Sequence, residues 1–395
     1  MKIAIYIDEH ATKELGGGFS YLSRLISLVD QYDFDSQLEI VYVTKYHNVE
    51  HRLTKEIFYF GQYITSPIKL NFLNRIINRV FSKVERYVSL ESALEISLLK
   101  NNVDLLYYPM AETYVFNYPY IMTSWDIGHR SSYSFPEVTM NQVFELRDFH
   151  RMNSILKSTA VIVESETSKL ELVKYLNIYE PKVFILPLPP GSLIEEVVSL
   201  EESVHFLKKL SLENVQFYLY PAQFWSHKNH YNLVKGFKLY LSKYPDVKLV
   251  FTGSDKGNLS YIKEVVASEG LNESVIFLGF VSDKELKILY QNTISLVFPS
   301  LIGPTNMPPL EAKMLGCKVI CSDLPGHKTL LGESALYFDA LNPRDIAAKM
   351  VDIMFYDTSS FSMNYSKEEF VKKLEEIFIQ IIPFRMTFGR NFNQC

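Results

Sequence analysis

The chain has 395 residues, of which 47% are hydrophobic and 22% charged, with no low-complexity tract; this excludes a disordered polypeptide and makes two domains the expectation. A formal net charge of −5 argues against a general nucleic-acid binder, because neutralising phosphates takes a concentrated basic face. Cys317, Cys321 and Cys395 match no metal or redox spacing and fit free thiols in a reducing compartment.

The apolar run in MKIAIYIDEH is short for a signal peptide, and no uncharged stretch long enough to span a bilayer follows, so a cytoplasmic protein is expected. KIAIYI (2–7) reads as a buried strand, and similar runs recur at 38–44, 103–109, 120–125, 160–165 and 182–188. A second series lies at 216–222, 248–253, 275–280, 294–300, 318–323 and 335–339. Helical stretches between them give the alternation of βαβ units, and the expected fold class is α/β, with two Rossmann-like doubly wound domains facing across a cleft. PLPPGS (187–192) continues neither sheet nor helix and marks the hinge. Residues 1–190 are the expected first domain, 191–212 a linker, 213–375 the second domain, and 376–395 a tail packing back on the first. Helices are expected at 343–356 and 366–381, followed by an irregular end.

Several segments after predicted strands carry polar chemistry. Gly16, Gly17 and Gly18 between the first strand and a helix let backbone N–H groups approach an anion, or simply make a tight turn. In LNFLNRIINRVFSKVERYV (70–88), apolar residues recur at helical spacing beside Arg75, Arg79, Lys83 and Arg86. Such a basic amphipathic helix suits either an anionic membrane surface or an ordinary solvent face. In YIMTSWDIGHRSSYSFPEV (120–138), Asp126, His129 and Arg130 sit where open α/β sheets bind ligands; His129 can bond a hydroxyl and Asp126 can orient the loop or accept a hydroxyl proton, or both simply cap the following turn. In YPAQFWSHKNHYNLVKGF (220–237), Lys228 near a helix start offers positive charge to a leaving diphosphate or is simply a solvated lysine, with Trp225, His227, Asn229 and His230 beside it. In FPSLIGPTNMPPLEAKMLGCKVICSDLPG (298–326), an irregular loop enters a helix through Pro308 and Pro309. Glu311, expected in its first turn, is placed to accept from ribose hydroxyls or is favoured there only by the helix dipole.

Together WDIGHR, YPAQFWSHKNH and GPTNMPPLEA resemble glycosyltransferase family 4, a large bacterial group of retaining GT-B enzymes, and the likeness covers nearly the whole chain. Many members carry two glutamates seven residues apart; here the second is Glu311, while the first falls on Gly303. The family's Arg and Lys pair falls on Gln223 and Lys228, so one of two phosphate-facing cations is replaced. The resemblance implies an acceptor-side first domain and a nucleotide-sugar-binding second domain. It implies a donor site formed by Gly17, Gly18, Gln223, Lys228, Gly253, Phe280, Pro304, Thr305, Asn306, Met307 and Glu311, with His129, Asp126 and Lys228 as catalytic candidates. Phe280 would lie beside the nucleobase, and Glu166 in VIVESETSK (161–169) is a weaker candidate.

The implied activity is metal-independent and retaining. A sugar, with mannose the family-level expectation, moves from a nucleoside-diphosphate sugar to a glycan or lipid-linked acceptor in bacterial polysaccharide or glycoconjugate assembly. No cofactor is implied, nor any nucleic-acid partner; peripheral contact with the inner membrane face is a further expectation. Two alternatives stay open on the sequence: a nucleotide-sugar 2-epimerase of the same architecture, and a non-catalytic partner that binds nucleotide sugar or glycan.

Overall fold

A computed structural model describes residues 1–7, 17–45, 53–60, 93–110, 118–131, 135–189, 191–303, 305–356 and 366–387. The chain divides into two compact units, one formed by residues 1–127, 144–187 and 366–395, the other by 128–143 and 188–365.

The first unit is a parallel sheet of β1 (Lys2–Ile7), β2 (Glu39–Thr44), β3 (Ile57–Tyr59), β4 (Leu105–Tyr108), β5 (Tyr120–Thr123), β6 (Ala160–Val163) and β7 (Val183–Ile185). Its order among the described residues is β3-β2-β1-β4-β5-β6-β7. Parallel neighbours need crossovers, whose helices cover both sheet faces, so the strands read as unbroken apolar runs. Accordingly Ile3, Ala4 and Ile5 are wholly buried, as are Leu105 to Tyr108. Helix α1 (Gly17–Asp30) follows β1, and α2 (Val143–Lys157) and α3 (Glu166–Leu176) flank β6. Ser165 caps α3 by accepting from the Ser168 N–H, and Glu166 occupies its first turn; a cap with a negative first turn accounts for the start of this helix.

Two features of this unit differ from expectation. Strand β3 was absent from the sequence reading, since a three-residue edge strand carries almost no periodicity. The last helix runs over Lys367–Thr387 and continues through Pro383, where an irregular end was expected. Its apolar face holds it: Phe378 and Ile381 are wholly buried, and Phe378 packs edge-on against Tyr107 at 5.7 Å.

The second unit holds β8 (Phe217–Pro221), β9 (Lys248–Thr252), β10 (Val275–Phe277), β11 (Ser295–Phe298), β12 (Val319–Ser322) and β13 (Ala335–Phe338) in the parallel order β10-β9-β8-β11-β12-β13. Two of its helices, Leu200–Lys209 and Asp283–Asn292, start from complete capping boxes, Ser199 with Glu202 and Ser282 with Glu285. Each box satisfies two otherwise orphaned N–H groups. The segment 191–212, read from sequence as a linker, carries the helix Leu200–Lys209 and a 3-10 turn over Ser192–Glu195. Both units have the Rossmann-like doubly wound architecture expected from the strand pattern.

Candidate functional site

The richest polar cluster gathers at the carboxyl ends of β8, β11 and β12, where open α/β sheets bind ligands. After β8 the chain makes a 3-10 turn over Ser226–Lys228, then enters the helix His230–Leu241 through Asn229 in a left-handed conformation, φ +59°. Asn229 is buried. Its Nδ2 donates to the carbonyls of Pro299 at 3.1 Å and Ala340 at 2.7 Å, and its Oδ1 accepts from Asn232 at 2.7 Å. The Tyr220 hydroxyl donates to the Lys228 carbonyl at 2.6 Å, and the Leu301 N–H to the His227 carbonyl at 2.9 Å. These bonds hold the turn carrying Lys228 rigidly against the β11 loop.

Asn229→Asp keeps the tolerance for positive φ but turns a carboxylate oxygen toward two carbonyls. A destabilisation of about 3 kcal/mol is expected, measured by urea unfolding. A variant as stable as wild type would remove the staple role.

Lys228 Nζ donates to Asn306 Oδ1 at 3.0 Å and to Ser300 Oγ at 3.5 Å, and lies 5.3 Å from the centroid of the Phe298 ring. Asn306 Nδ2 is 3.0 Å from His327 Nε2, and His327 Nδ1 is 2.9 Å from the Ser322 carbonyl. Burial pushes the His327 imidazole down to about 4, against the upward effect of its bond to Ser322, with Lys228 adding to the depression. Asn306 precedes the helix Met307–Met314 without capping it by its side chain. Of the first four backbone positions of that helix, Pro308 and Pro309 carry no N–H, so only Met307 and Leu310 offer one. Lys228, bonded to Asn306 just ahead of this helix, brings positive charge to its start.

Gly303 has φ +127°, and a Cβ there would stand 2.5 Å from Asn306 Nδ2 and 3.0 Å from its Oδ1. The backbone conformation requires glycine, and a Cβ would in addition push the Asn306 amide, the end of a side chain, away from its place.

Glu311 is 6% exposed and lies in the second turn, not the first as expected from sequence: the helix starts at Met307, ahead of both prolines. Its Oε2 accepts from the Tyr290 hydroxyl at 3.3 Å, and Oε1 crowds the place a Cβ on Gly191 would take. Burial raises its pKa to about 7, opposed by the Tyr290 and Gly191 bonds and reinforced by Asp283.

The other residues of the expected donor set lie around this core in the same unit. Gln223 Oε1 accepts from the Trp225 indole N–H at 3.0 Å. Gly253, φ +132°, donates its N–H to the Gly279 carbonyl at 2.7 Å, and a Cβ there would collide with the Ala222 carbonyl. Phe280 follows β10 with 60% of its surface exposed. Met307 is buried near Gly191, and Thr305 is half-buried. His227 Nδ1 pairs with Glu137 Oε1 at 2.6 Å, and its backbone N–H reaches the same oxygen at 2.9 Å. Burial favours the neutral acid at Glu137, but the His227 bonds outweigh it and hold the carboxyl down at about 2.

In the first unit, Gly17 begins α1, and a Cβ on Gly18 would meet the Trp125 indole at 2.7 Å. Gly18 thus admits the close approach of that ring. Asp126 accepts from the buried Arg151 at 3.1 Å and also offers Arg151 its carbonyl. His129 is buried in the short helix Gly128–Ser131 and is grouped with the second unit. Pro304, Arg75, Arg79, Lys83 and Arg86 lie outside the described residues.

Sequence reasoning did not assign roles to Glu137, Gly191, Tyr290, Ser300, Ser322 and His327. His327 stands one residue beyond the segment 298–326 that drew attention, and a histidine five residues after the strand-end Ser322 is the signal that points to it. Among the described residues, no helix is long and apolar enough to cross a membrane, and no group of three or more His, Cys, Asp or Glu is placed to hold a metal ion.

Residues 203–368 match the family model described as glycosyl transferases group 1. The chain is 30% identical over 192 residues to the O-antigen chain mannosyltransferase RfbU of Salmonella typhimurium; the match covers 49% of each, so the chain spans about half the length of that relative. Among solved structures, sucrose-phosphate synthase from Thermosynechococcus elongatus superposes with a TM-score of 0.65 at 15% identity, covering 100% of this chain and 98% of that one. Anabaena HepE in complex with UDP-glucose superposes with a TM-score of 0.64 at 14% identity, covering 98% and 100%. At these identities the two structures speak to the fold.

Proposed function

We propose that the chain, whose residues 203–368 match the glycosyl transferases group 1 model and whose two Rossmann-like units are those of a GT-B fold, transfers a sugar from a nucleoside-diphosphate sugar to a glycan acceptor. The observation that carries this is the placement of Lys228 against the N-terminal end of Met307–Met314, with buried Glu311 one turn further along the same helix. A diphosphate set against Lys228 and the remaining helix N–H groups leaves its ribose within reach of a carboxylate, and exposed Phe280 offers a face to the base.

In the proposed reaction the bond between the anomeric carbon and the diphosphate oxygen breaks, and the acceptor oxygen forms the new bond. The departing phosphate takes the acceptor proton, so no protein base is needed. Lys228 meets the charge that develops on the diphosphate, a preorganised electrostatic contribution. His129 is assigned to the donor sugar, Gly17 and Gly18 to donor phosphate or acceptor, and Asp126 to holding the His129 loop through Arg151. Gln223, Gly253, Pro304, Thr305, Asn306 and Met307 complete the donor set. Mannose is the proposed sugar, supported by the mannosyltransferase RfbU, and the product has retained configuration. A lipid-linked acceptor at the inner membrane face, met by Arg75, Arg79, Lys83 and Arg86, completes the proposal.

A panel of GDP- and UDP-sugars with glycan and lipid-linked acceptors tests this. Nucleotide release should require an acceptor and should be greatest with GDP-mannose. Release from no donor by folded protein would count against a transferase, and donor interconversion without acceptor would make it an epimerase.

Glu311 gives a pH signature. Its folded pKa of about 7 stands above the ordinary 4.5, so its contribution to stability is full below 4.5 and is lost as pH rises through about 7. Ribose hydroxyls, which donate, favour the carboxylate, so nucleotide affinity should move the opposite way and weaken as pH falls through about 7. Glu311→Gln should flatten both profiles in calorimetry and thermal unfolding. A wild-type affinity independent of pH between about 6 and 8, roughly one unit either side of that value, would contradict the assignment.

A further inference from the structure

His327 is wholly buried, touches neither the helix N–H groups nor Glu311 in any described bond, and has no part in the reaction above. Its surroundings nevertheless fix its chemistry. A main-chain carbonyl only accepts, so the 2.9 Å contact with Ser322 places the proton on Nδ1. The ring is neutral, which leaves Nε2 as an acceptor. Asn306, 3.0 Å away, must then present its NH2 group to His327, and the amide carbonyl is left to face Lys228 Nζ at 3.0 Å. The direction of every bond in the series follows from the Ser322 carbonyl. Phe298 braces both ends, its ring 5.8 Å from the imidazole and 5.3 Å from Nζ, and Gly303 leaves room for the amide.

We propose that His327 is a positioning residue that, through Asn306, sets the orientation and placement of the Lys228 ammonium. The relay is a property of the protein without ligand, and rests on the proposed donor site only for the identity of the anion that Lys228 meets. Were Nε2 to carry the proton, the Asn306 amide would turn over and offer its NH2 to an ammonium that has only donors, and Lys228 would lose its 3.0 Å partner.

The test compares the full chain with His327→Leu and His327→Gln, measuring acetylation of Lys228 by mass spectrometry without ligand and using Lys313 as internal standard. Gln can donate to Ser322 and accept from Asn306, whereas Leu does neither. Lys228 should react roughly ten-fold faster relative to Lys313 in the Leu variant, the factor of one lost charge-assisted hydrogen bond, and near the wild-type rate in the Gln variant. Equal ratios in wild type and Leu, or equal acceleration in Gln and Leu, would overturn the proposal. Should the Leu variant not fold, nitrogen-15 NMR of wild-type histidines decides: an Nε2–H tautomer or an imidazolium at His327 at neutral pH contradicts the relay. GDP and UDP titrations of the same proteins separate the two proposals, since a relay seen by acetylation with no nucleotide bound refutes only the donor site.

Discussion

Replacing Lys228 by alanine is expected to lower kcat by roughly 10²–10³-fold, the cost of deleting one preorganised donor at developing charge. The loss should be at the upper end because little else among the described residues compensates. Gln223 is neutral and its amide oxygen is engaged by Trp225, and Pro308 and Pro309 remove two of the N–H groups that a helix start ordinarily offers an anion. Folding should survive, since the turn is pinned by Asn229, by the Tyr220 hydroxyl and by main-chain bonds rather than by the ammonium. Lys228→Arg restores charge but brings a planar fork into a place matched to a single ammonium donating to Asn306 and Ser300, so only part of the rate should return. Steady-state nucleotide release measures both variants; Lys228→Ala with wild-type kcat would remove Lys228 from the chemistry.

Gly303→Glu is expected to impair nucleotide binding, although it recreates the paired glutamates of the resembled family. A side chain at this position must adopt φ +127° and displace the Asn306 amide, whose nitrogen lies 2.5 Å from the new Cβ. The backbone alone costs on the order of 1–3 kcal/mol. Displacing Asn306 also detaches Lys228 from its 3.0 Å partner and leaves His327 Nε2 without its donor. A fall in thermal stability together with a roughly ten-fold or greater loss of GDP or UDP affinity should result. Gly303→Ala separates the contributions, because it carries the strain and the collision without the carboxylate. Higher turnover in Gly303→Glu than in wild type would show that the loop accommodates a glutamate and that Asn306 does not occupy its place.

The two sheets were legible in the sequence because parallel strands buried on both faces leave uninterrupted apolar runs, as at Ile3–Ile7 and Leu296–Phe298. The edge strand Ile57–Tyr59 is too short to leave such a run. Lys228 and Glu311 stand out through their motifs, yet the helix before Glu311 starts earlier than its prolines suggest, since prolines at successive positions suit either the first helical turn or the approach to it. Partnerships were less legible. Nothing local reveals that Asp126 meets Arg151, that Asn229 donates to Pro299 and Ala340, or that His327 reaches Asn306, because each bond joins residues far apart in the sequence that only the fold brings together. The replacement at Gly303 was visible as a missing side chain; that Asn306 fills its space is a fact of loop geometry.

Calorimetric titration of the wild-type chain with GDP, UDP and their parent nucleosides bears most directly on the donor site. One diphosphate should bind at least about ten-fold more tightly than its nucleoside, the difference that charge-assisted bonds to a phosphate supply, and Lys228→Ala should abolish that difference. Equal affinities for diphosphate and nucleoside, or a difference that persists in Lys228→Ala, would contradict it.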